Sequence, residues 1–561
     1  MKSSWRKSVG LIVGVIALVL CGASILNAQL PTADIVGTVT DASGAALAGA
    51  HVTVTNTGTG EARSADTNAS GDYAFSLLQI GMYSVAVEAK GFKKLTAPSV
   101  TLASGDRARV DAKMEVGDVT QTIEVTGTAP ALQTDTSTIS GSISEQAVQD
   151  IPLNGRNFIN LAQLAPGASE GNPQGFGTGT RPDDRRPSSE VVVNAQNDSV
   201  NNKTIDGMDN NEEVIGSIGV QPSIDAIQEV KVQTNLYTAD VGRTAGANVD
   251  IITKSGANDI HGSVYEFFRN DKFDARSYFD TAAVGPKPEL RQNQYGGSVG
   301  GPIRKNKTFF FGDYEGQRVV QGLAVPLATV PTACELGRAA CNGVTQLGNF
   351  SDLKTPIYNP VTGAQYTNNI IPLSQISTVA QNFAALYPSP NLPGIVSAST
   401  GQPSNNYGST PTRTQYLSTM DGRIDHHFTE SDVLTGRYTI NLISTLTPGN
   451  FPSVSVAGLK ILAGGDVNPS VNAFAGGNSE RAQNAAITYS HIFSPTVIAQ
   501  LNVAYLRVAI FSTPLNYQTN ASTAFGLQGI NVPGIANGYD SGLPLMQIPG
   551  IRTWETTTSC P

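Results

Sequence analysis

One short segment of this sequence has the residue types and spacing that zinc chemistry requires. His427-Phe428-Thr429-Glu430 spells the H-x-x-E pattern of zinc peptidases, in which a distant His completes the ligand set and a further Glu activates water. The chain has only five His, and His491 is the only one that follows the segment. The segment also lies where one strand turns into the next. We therefore interpret the pattern as a coincidence at a turn.

Other motifs with chemical potential are equally incomplete. Asp206, Asp209 and Asn211 suggest calcium ligands, but the segment lacks the glycine and terminal Glu of an EF-hand loop, so we interpret it as a turn. The glycines of "GGSVGGP" follow no strand-to-helix transition, which argues against a nucleotide site. The sequence contains no H-E-x-x-H, G-x-S-x-G or P-loop motif. It therefore predicts no catalytic residues, no metal, no cofactor and no enzymatic activity.

Composition and the N-terminus indicate the compartment. A net charge of -9 and a pI near 5.2 give no basic surface for nucleic acid. Three cations precede the apolar run of residues 9–20, and small or polar residues lead to Ala28, so residues 1–28 are predicted to be a secretory signal peptide. A membrane anchor is the alternative, although the apolar run is shorter than about 20 residues. In an exported protein Cys334 and Cys341 are candidates for a disulfide, and the absence of a nearby His disfavours metal binding.

The elements that would carry these residues are short strands. Residues 33–115 alternate apolar and polar side chains in runs such as "AHVTVTNT" and "YSVAVEAKGF", which predicts an antiparallel β-sandwich. The segments "GTVTDASGAALAGAHVTVTNTGTG" and "TNASGDYAFSLLQIGMYSVAVEAKGF" resemble the carboxypeptidase-regulatory-like domain. That resemblance implies a prealbumin-like β-sandwich with a carbohydrate-binding-like fold.

Residues 118–253 have a different texture, with short strands, glycine turns and brief helices. The segments "IPLNGRNF", "LAPG", "IDGMDN" and "IQEVKVQTNLYTADVGRTAGANVDIITKSG" together resemble the plug of a TonB-dependent outer-membrane receptor of the Oar-like family, in which a carboxypeptidase-regulatory-like domain precedes the plug. The resemblance implies a small α+β domain. Within it, Arg156 is either a structural hydrogen-bond donor, which its apolar neighbours favour, or a contact with the interior of a barrel.

A β-prone run precedes this domain. From composition alone it is either an ordinary strand that closes the sandwich or an extended segment that pairs with a strand of another chain. The resemblance implies that it is the TonB box, and that the inner-membrane complex of TonB, ExbB and ExbD is the partner that supplies energy. The residues of this candidate box are Thr122, Ile123, Glu124, Val125 and Thr126.

Residues 254–561 repeat a plan of strand, tight turn and strand, with one apolar and one mostly polar side. A soluble sandwich gives the same alternation. Two further features favour an outer-membrane β-barrel in contact with lipid: the strands have about ten residues, and short turns alternate with long loops at 319–412 and 441–480. Only six to eight strands can be identified, whereas barrels of the resembled family have about 22. The fold expected is mainly β, with an incomplete barrel, and the chain is expected to be an N-terminal fragment.

The function implied by the resemblance is transport of an unidentified extracellular substrate, for which a glycan is one candidate, across the outer membrane of a Gram-negative bacterium. The glycine-rich loop 168–190 is the plug segment predicted to meet substrate, through Arg181, Arg185 and Arg186. The alternative is a secreted or surface-exposed carbohydrate-binding or adhesion protein built of β-sandwiches. Recovery from the membrane fraction would separate the two.

Overall fold

The computed structural model describes residues 32–117, 122–124, 139–171, 191–214, 216–237, 241–276, 287–323, 327–456, 458–461, 475–494, 497–517 and 519–529. The predicted signal peptide lies outside these ranges. The fold is mainly β, as the sequence predicts, with 52% strand and 10% helix among the described residues. In the part of the chain described, no helix combines the length and the hydropathy needed to span a membrane.

The first domain is a β-sandwich. Its strands are β1 (Thr32–Asp41), β2 (His51–Asn56), β3 (Ala62–Asp66), β4 (Asp72–Gln79), β5 (Gly81–Glu88), β6 (Lys94–Leu102), β7 (Arg107–Arg109), β8 (Ala112–Met114) and β9 (Thr122–Glu124). One sheet has the order β4-β1-β7, with β8 also on β1, and the other has the order β3-β2-β5-β6-β9. Val52 and Val54 are buried between the sheets while Thr53 and Thr55 are partly exposed, because successive side chains of a strand face opposite sides.

The middle domain, residues 139–253, is a small α+β unit. It contains β10 (Ile139–Ser144), the helix α1 (Glu145–Asp150), β11 (Ala168–Glu170), β12 (Val191–Val193), β13 (Asn202–Ile205), β14 (Met208–Asp209), β15 (Ile227–Asn235) and β16 (Asn248–Thr253). Its main sheet has the order β10-β15-β16-β13-β14. The 3-10 helix Phe158–Leu164 packs on this sheet, and the shared apolar core extends to Ala482 of the next domain.

The third domain is dominated by an open antiparallel sheet, which we call the wall, with seven strands in the order β17-β18-β19-β22-β23-β26-β27. The strands of this domain are β17 (His261–Asn270), β18 (Leu290–Arg304), β19 (Thr308–Gly322), β20 (Ile395–Val396), β21 (Pro403–Ser404), β22 (Thr412–Thr429), β23 (Asp432–Thr447), β24 (Val454–Val456), β25 (Leu459–Ile461), β26 (Gly476–Ser494) and β27 (Val497–Pro514). Neighbouring wall strands pair along almost their full length, so each tight turn fixes the register of a long hairpin.

The wall buries polar side chains and exposes apolar ones. Arg437, Thr439 and Asn441 of β23 are at most 5% exposed and face the middle domain, whereas Leu501 and Val503 of β27 are about 60% exposed on the opposite side (62% and 58%). This is the inverse of a soluble β-sandwich and is the pattern of a sheet with lipid on its outer side.

The long connections of the wall are folded. They are shorter than the sequence predicts, because β19 extends to Gly322, β22 begins at Thr412, and β23 and β26 extend to Thr447 and Gly476. Together with the helices α2 (Thr378–Leu386) and α3 (Ala521–Ala524) they form a loop domain at the end of the wall opposite the tight turns. A separate apolar cluster holds it together, with members that include Phe383, Leu386, Phe451, Ile461 and Phe525.

Candidate functional site

The segment "IPLNGRNF" forms a tight turn that presents Arg156 to the wall. Gly155 and Arg156 have φ angles of 67° and 53°, in the left-handed region that is costly for a residue with a side chain. The Asn157 side chain then accepts a hydrogen bond from the Ile159 N–H at 3.2 Å and begins the 3-10 helix Phe158–Leu164. Because that helix is anchored in the core of the middle domain, the arginine before it points outward.

Arg156 is held by groups from two domains. Its Nε lies 3.3 Å from Glu315 Oε2 on β19, and its Nη2 pairs with Asp225 of the middle domain. The guanidinium also lies 4.3 Å from the ring centroid of Tyr265 and 4.9 Å from that of Phe267, both on β17. Arg156 is therefore both a structural hydrogen-bond donor and a contact with the interior of the wall.

The carboxylates beside Arg156 have further donors. The Tyr265 hydroxyl donates to Glu315 Oε2 at 2.8 Å, and Gln294 Nε2 donates to Glu315 Oε1 at 3.1 Å. Ser263 Oγ donates to Asp225 Oδ1 at 3.0 Å. A buried ion pair is tolerated only when its remaining lone pairs are satisfied, and this cluster meets that condition with groups from β17 and β18.

A second cluster lies beside the β13–β14 turn. Asp206 Oδ2 lies 2.8 Å from Arg437 Nε, and its Oδ1 lies 3.6 Å from Arg423 Nη1. Thr253 donates to the same carboxylate through its N–H at 2.9 Å and its hydroxyl at 2.7 Å. Arg423 also binds Asp425 on its own strand, at 2.9 Å. Two wall arginines thus meet one carboxylate of the middle domain.

In a third set of contacts, the groups that the middle domain contributes are uncharged. The Gln221 N–H donates to Asn441 Oδ1 at 2.7 Å, and Asn441 Nδ2 returns a bond to the Gln221 carbonyl at 2.8 Å. The Ser223 N–H donates to Asp421 Oδ2 at 3.2 Å, and its hydroxyl donates to Asp313. The wall therefore grips the backbone of this segment as well as its side chains.

The motifs that suggested metal chemistry form no metal site. Asp206 is engaged by wall arginines, and Asp209 Oδ1 accepts from the Asn211 N–H at 3.3 Å, as in a turn. His427 Nδ1 lies 3.6 Å from Glu61 Oε2 of the sandwich. Over the described ranges no group of three His, Cys, Asp or Glu side chains could hold a metal ion.

The sandwich docks on the middle domain through a smaller polar contact. The Ser104 N–H donates to Glu229 Oε2 at 3.0 Å, and Lys231 Nζ donates to the Ser104 carbonyl. Burial raises the pKa of Glu229, and hydrogen bonds from Ser142 and Ser104 offset part of that rise. On the neighbouring strand burial raises the pKa of Asp250 to about 6.

The candidate TonB box falls partly within the structure. The backbone of Thr122–Glu124 forms β9, which pairs in parallel with β6 at the edge of the sandwich sheet, with Ile123 opposite Leu95. Val125 and Thr126 lie outside the described residues, as do the three substrate-contact candidates Arg181, Arg185 and Arg186. The Cα atoms of Cys334 and Cys341 lie 5.7 Å apart, a separation that a disulfide can span.

Sequence reasoning missed most of the residues that join the middle domain to the wall. Asp225, Glu315, Arg423 and Arg437 carry this interface, and none of them was singled out. A usable signal was present, because charged side chains at alternate positions in the middle of long β-hairpins are costly on the lipid side and are therefore expected to face the interior.

Two family models match the chain. Residues 252–561 match the outer membrane beta barrel domain, and residues 34–115 match the carboxypeptidase regulatory-like domain. The TonB-dependent transporter Oar of Myxococcus xanthus is 26% identical over 313 residues, which are 54% of this chain and 28% of that transporter.

Solved receptors are similar in parts of their folds. A mutant of the ferric enterobactin receptor PfeA from Pseudomonas aeruginosa matches with a TM-score of 0.38 and 11% identity, over 68% of this chain and 42% of the receptor. The siderophore receptor PirA from Acinetobacter baumannii matches with a TM-score of 0.31 and 15% identity, over 68% of this chain and 46% of the receptor.

Proposed function

We propose, from the premise that the chain belongs to the outer membrane beta barrel domain family and is a homologue of Oar, that it acts in TonB-dependent transport through the outer membrane of a Gram-negative bacterium. In this proposal the wall is part of the transmembrane barrel, and the middle domain is the plug that the sequence predicts at residues 118–253. The sandwich faces the periplasm with the tight turns, and the loop domain faces outward. The protein is a transporter and carries out no catalysis.

The observation that carries this proposal is the polar contact between plug and wall. Arg156, Asp225 and Glu315 form one ion-paired cluster, and Asp206 with Arg437 forms part of another. When such surfaces separate, water solvates the charges that they release, whereas separation of an apolar interface exposes hydrophobic area. Polar interfaces between domains are accordingly those in which relative movement is expected. A plug held in this way can be remodelled without unfolding.

Energy coupling is assigned to the segment 122–126. A TonB strand would add to it by backbone hydrogen bonds, which give a mechanical grip without a side-chain pocket. Because β9 lies at the edge of its sheet, with β6 on one side, a partner strand can pair with the other edge or can replace β6. A pull on this segment acts on the chain 13 residues before the start of the plug strand β10.

Substrate contact is assigned to Arg181, Arg185 and Arg186. Guanidinium groups pair with carboxylates or phosphates in a bidentate manner, and the surrounding glycines allow the loop to adapt. The chemistry of these side chains suits an acidic substrate. A glycan remains a candidate because of the fold of the sandwich, which by itself does not establish sugar binding.

Binding to the periplasmic domain of TonB tests the coupling assignment. Ile123→Pro removes a backbone donor from the candidate box and should weaken binding by about tenfold or more, because one lost hydrogen bond and a fixed backbone together cost more than about 1.4 kcal/mol. Thr134→Pro, further along the linker, is the matched control and should leave the affinity unchanged. Equal affinities for both variants and the parent would reject the assignment.

Membrane fractionation tests transport against the alternative of a secreted binding protein. The proposal expects the chain in outer-membrane pellets after washes with high salt and carbonate. Release as soluble protein would contradict it whatever the result with TonB.

A further inference from the structure

The outer side of the wall carries two arginines near the loop-side end of its apolar band. On β26 and β27 this band includes Ile487, Val503 and Tyr505, each more than half exposed. Arg507 is the next outward residue after Tyr505 toward the loop domain, and Arg481 lies on β26 at the same end. Both arginines are exposed. They therefore lie at the level where a lipid tail gives way to its headgroup, on the side of the loop domain.

These two arginines are not paired with any residue that the structure describes. Among the described residues neither forms a hydrogen bond or an ion pair. The carboxylates along β19, β22 and β26 lie on the inner side of the wall; they are Asp313, Glu315, Asp421, Asp425 and Glu480. Asp432 of β23 lies beside a tight turn, at the end of the wall opposite the loop domain. Among the described residues, the outer face of β22 to β27 near the loop domain thus carries these two arginines and no carboxylate.

The register brings the two arginines together. Arg481 pairs with Ala509 and Arg507 pairs with Gln483, so the arginines are diagonal neighbours, with Cα atoms about 7–8 Å apart. At that spacing two long side chains can contact one phosphate group from opposite sides. Guanidinium is the side-chain group whose fork of donors fits phosphate oxygens.

A cavity of about 560 Å³ lies between these side chains. Its lining combines the two arginines with serine hydroxyls, apolar walls and the carboxylate of Glu480 from the inner side, and it includes Ser418, Leu442, Ser444, Ser479 and Phe511. Hydroxyl and guanidinium donors suit a phosphate, while the aromatic and aliphatic walls suit the first methylenes of an acyl chain. A free anion would use only the donors.

We infer that Arg481 and Arg507 form a binding site for the phosphate group of a lipid in the outward-facing leaflet. The inference requires that the wall faces lipid, but it depends neither on TonB coupling nor on the substrate. A chain that inserts in membranes and fails to bind TonB would leave it intact.

Lipid retention by the full chain in detergent micelles tests the site by native mass spectrometry. The probes are dioleoyl phosphatidic acid and the matched diacylglycerol, which lacks only the phosphate. The parent chain should retain phosphatidic acid about tenfold more strongly, and Arg481→Gln or Arg507→Gln should remove most of that preference. Lysine at either position should restore part of it, since the charge returns without the fork.

Arg318→Gln is the matched control on the same outer face. The Arg318 guanidinium already donates to the Leu417 carbonyl at 2.9 Å and lies over the Tyr416 ring, so its loss should change lipid retention little. The site is rejected if this control loses as much preference as the two test variants, or if the test variants keep the parent preference. Full displacement of the lipid by millimolar inorganic phosphate would also reject a lipid site, because it would identify a free anion as the ligand. Heat-dependent migration on gels verifies that each variant is folded.

Discussion

The sandwich and the interface between plug and wall bury opposite kinds of side chain. The core between the sandwich sheets is a cluster of apolar and aromatic side chains, such as Ile35, Val52 and Tyr83. Between plug and wall lie arginines, carboxylates, amides and hydroxyls, such as Arg156 and Arg437. Hydrophobic contacts thus hold the sandwich sheets together, whereas paired charges join the plug to the wall.

The kind of side chain that is buried indicates which of the two contacts stays closed. A hydrophobic core gains free energy in proportion to the area removed from water and has no favourable way to open. A paired polar interface costs desolvation when it forms and recovers solvation when it parts, so its net stability is small even though each residue in it is sensitive to change. The predictions that follow test this contrast.

The largest effect is expected in the sandwich core. Tyr83 is 2% exposed, and its hydroxyl donates to the Gln79 carbonyl at 2.8 Å. Tyr83→Ala leaves a cavity and an unpaired carbonyl, and should lower the free energy of unfolding of the sandwich by about 4 kcal/mol. Met82→Ala, at an adjacent side chain that is 55% exposed, should cost about 0.5 kcal/mol or less. Urea titration followed by circular dichroism compares the two, and similar losses would contradict an apolar sandwich core.

The next effect belongs to the interface. Arg156→Met leaves Asp225 and Glu315 buried and close to each other without a counter-charge, and should lower the free energy of plug opening by about 3 kcal/mol. Hydrogen exchange in the peptide covering β15 measures this opening.

A variant of the same cluster without charges separates the effect of charge from that of shape. In the triple variant Arg156→Met/Asp225→Asn/Glu315→Gln no unpaired charge remains, so most of the lost stability should return. If the triple variant opens as readily as the single one, shape rather than charge holds the interface.

Much of the architecture follows from local pattern. Alternation over residues 33–115 and the paired runs on either side of each tight turn predict the sandwich and the long hairpins correctly, because strand period and turn chemistry are local properties. The loop domain was not predicted, since Phe383 and Leu386 belong to a helix of only nine residues in a segment rich in Gly, Pro and Asn. Their partners Phe451 and Phe525 come from distant loops.

The candidate site shows the same limit more sharply. The segment around Arg156 signals a turn and a packed helix, and both are present. Its partner Glu315 lies 159 residues away along the chain. The inward side of the strand that carries Glu315 can be predicted, but the position of this strand along the barrel axis relative to the plug cannot. Pairing across that distance depends on the register of three consecutive strands, β17 to β19, which no local pattern specifies.

A pH effect of about 3 kcal/mol is expected from Asp250 in the plug. Its pKa is about 6 in the folded protein, against 3.8 for the unfolded chain, because burial outweighs the hydrogen bonds from Thr204 and Gly207. A raised folded pKa means that protonation favours folding, so this contribution is complete below about pH 4 and is lost as the pH rises to about 6. Asp250→Asn should therefore be more stable than the parent at pH 7 by about 3 kcal/mol and nearly equal to it near pH 4. Hydrogen exchange of the β16 peptide between pH 4 and 8, corrected for the intrinsic rate, checks the difference, and a gap that does not vary with pH would contradict it.

The smallest effect isolates burial from charge within the same domain. Arg243 and Glu213 form a two-pronged ion pair, as close as the pair at Arg156, but their side chains are 48% and 64% exposed. Water solvates both groups when the pair opens, so Arg243→Gln should lower the free energy of plug opening by about 0.3 kcal/mol, and less at high salt. The pKa of Glu213, lowered by its bond to Arg243, should rise toward its usual value in the variant, which carbon-detected NMR of the carboxyl can follow. If this exposed pair proved as costly to break as Arg156, the stability of the interface would follow from the number of ion pairs. If the pair at Arg156 costs an order of magnitude more to break than the pair at Arg243, the stability of the interface instead depends on the exclusion of water. Entry of water into the interface would then be enough to release the plug.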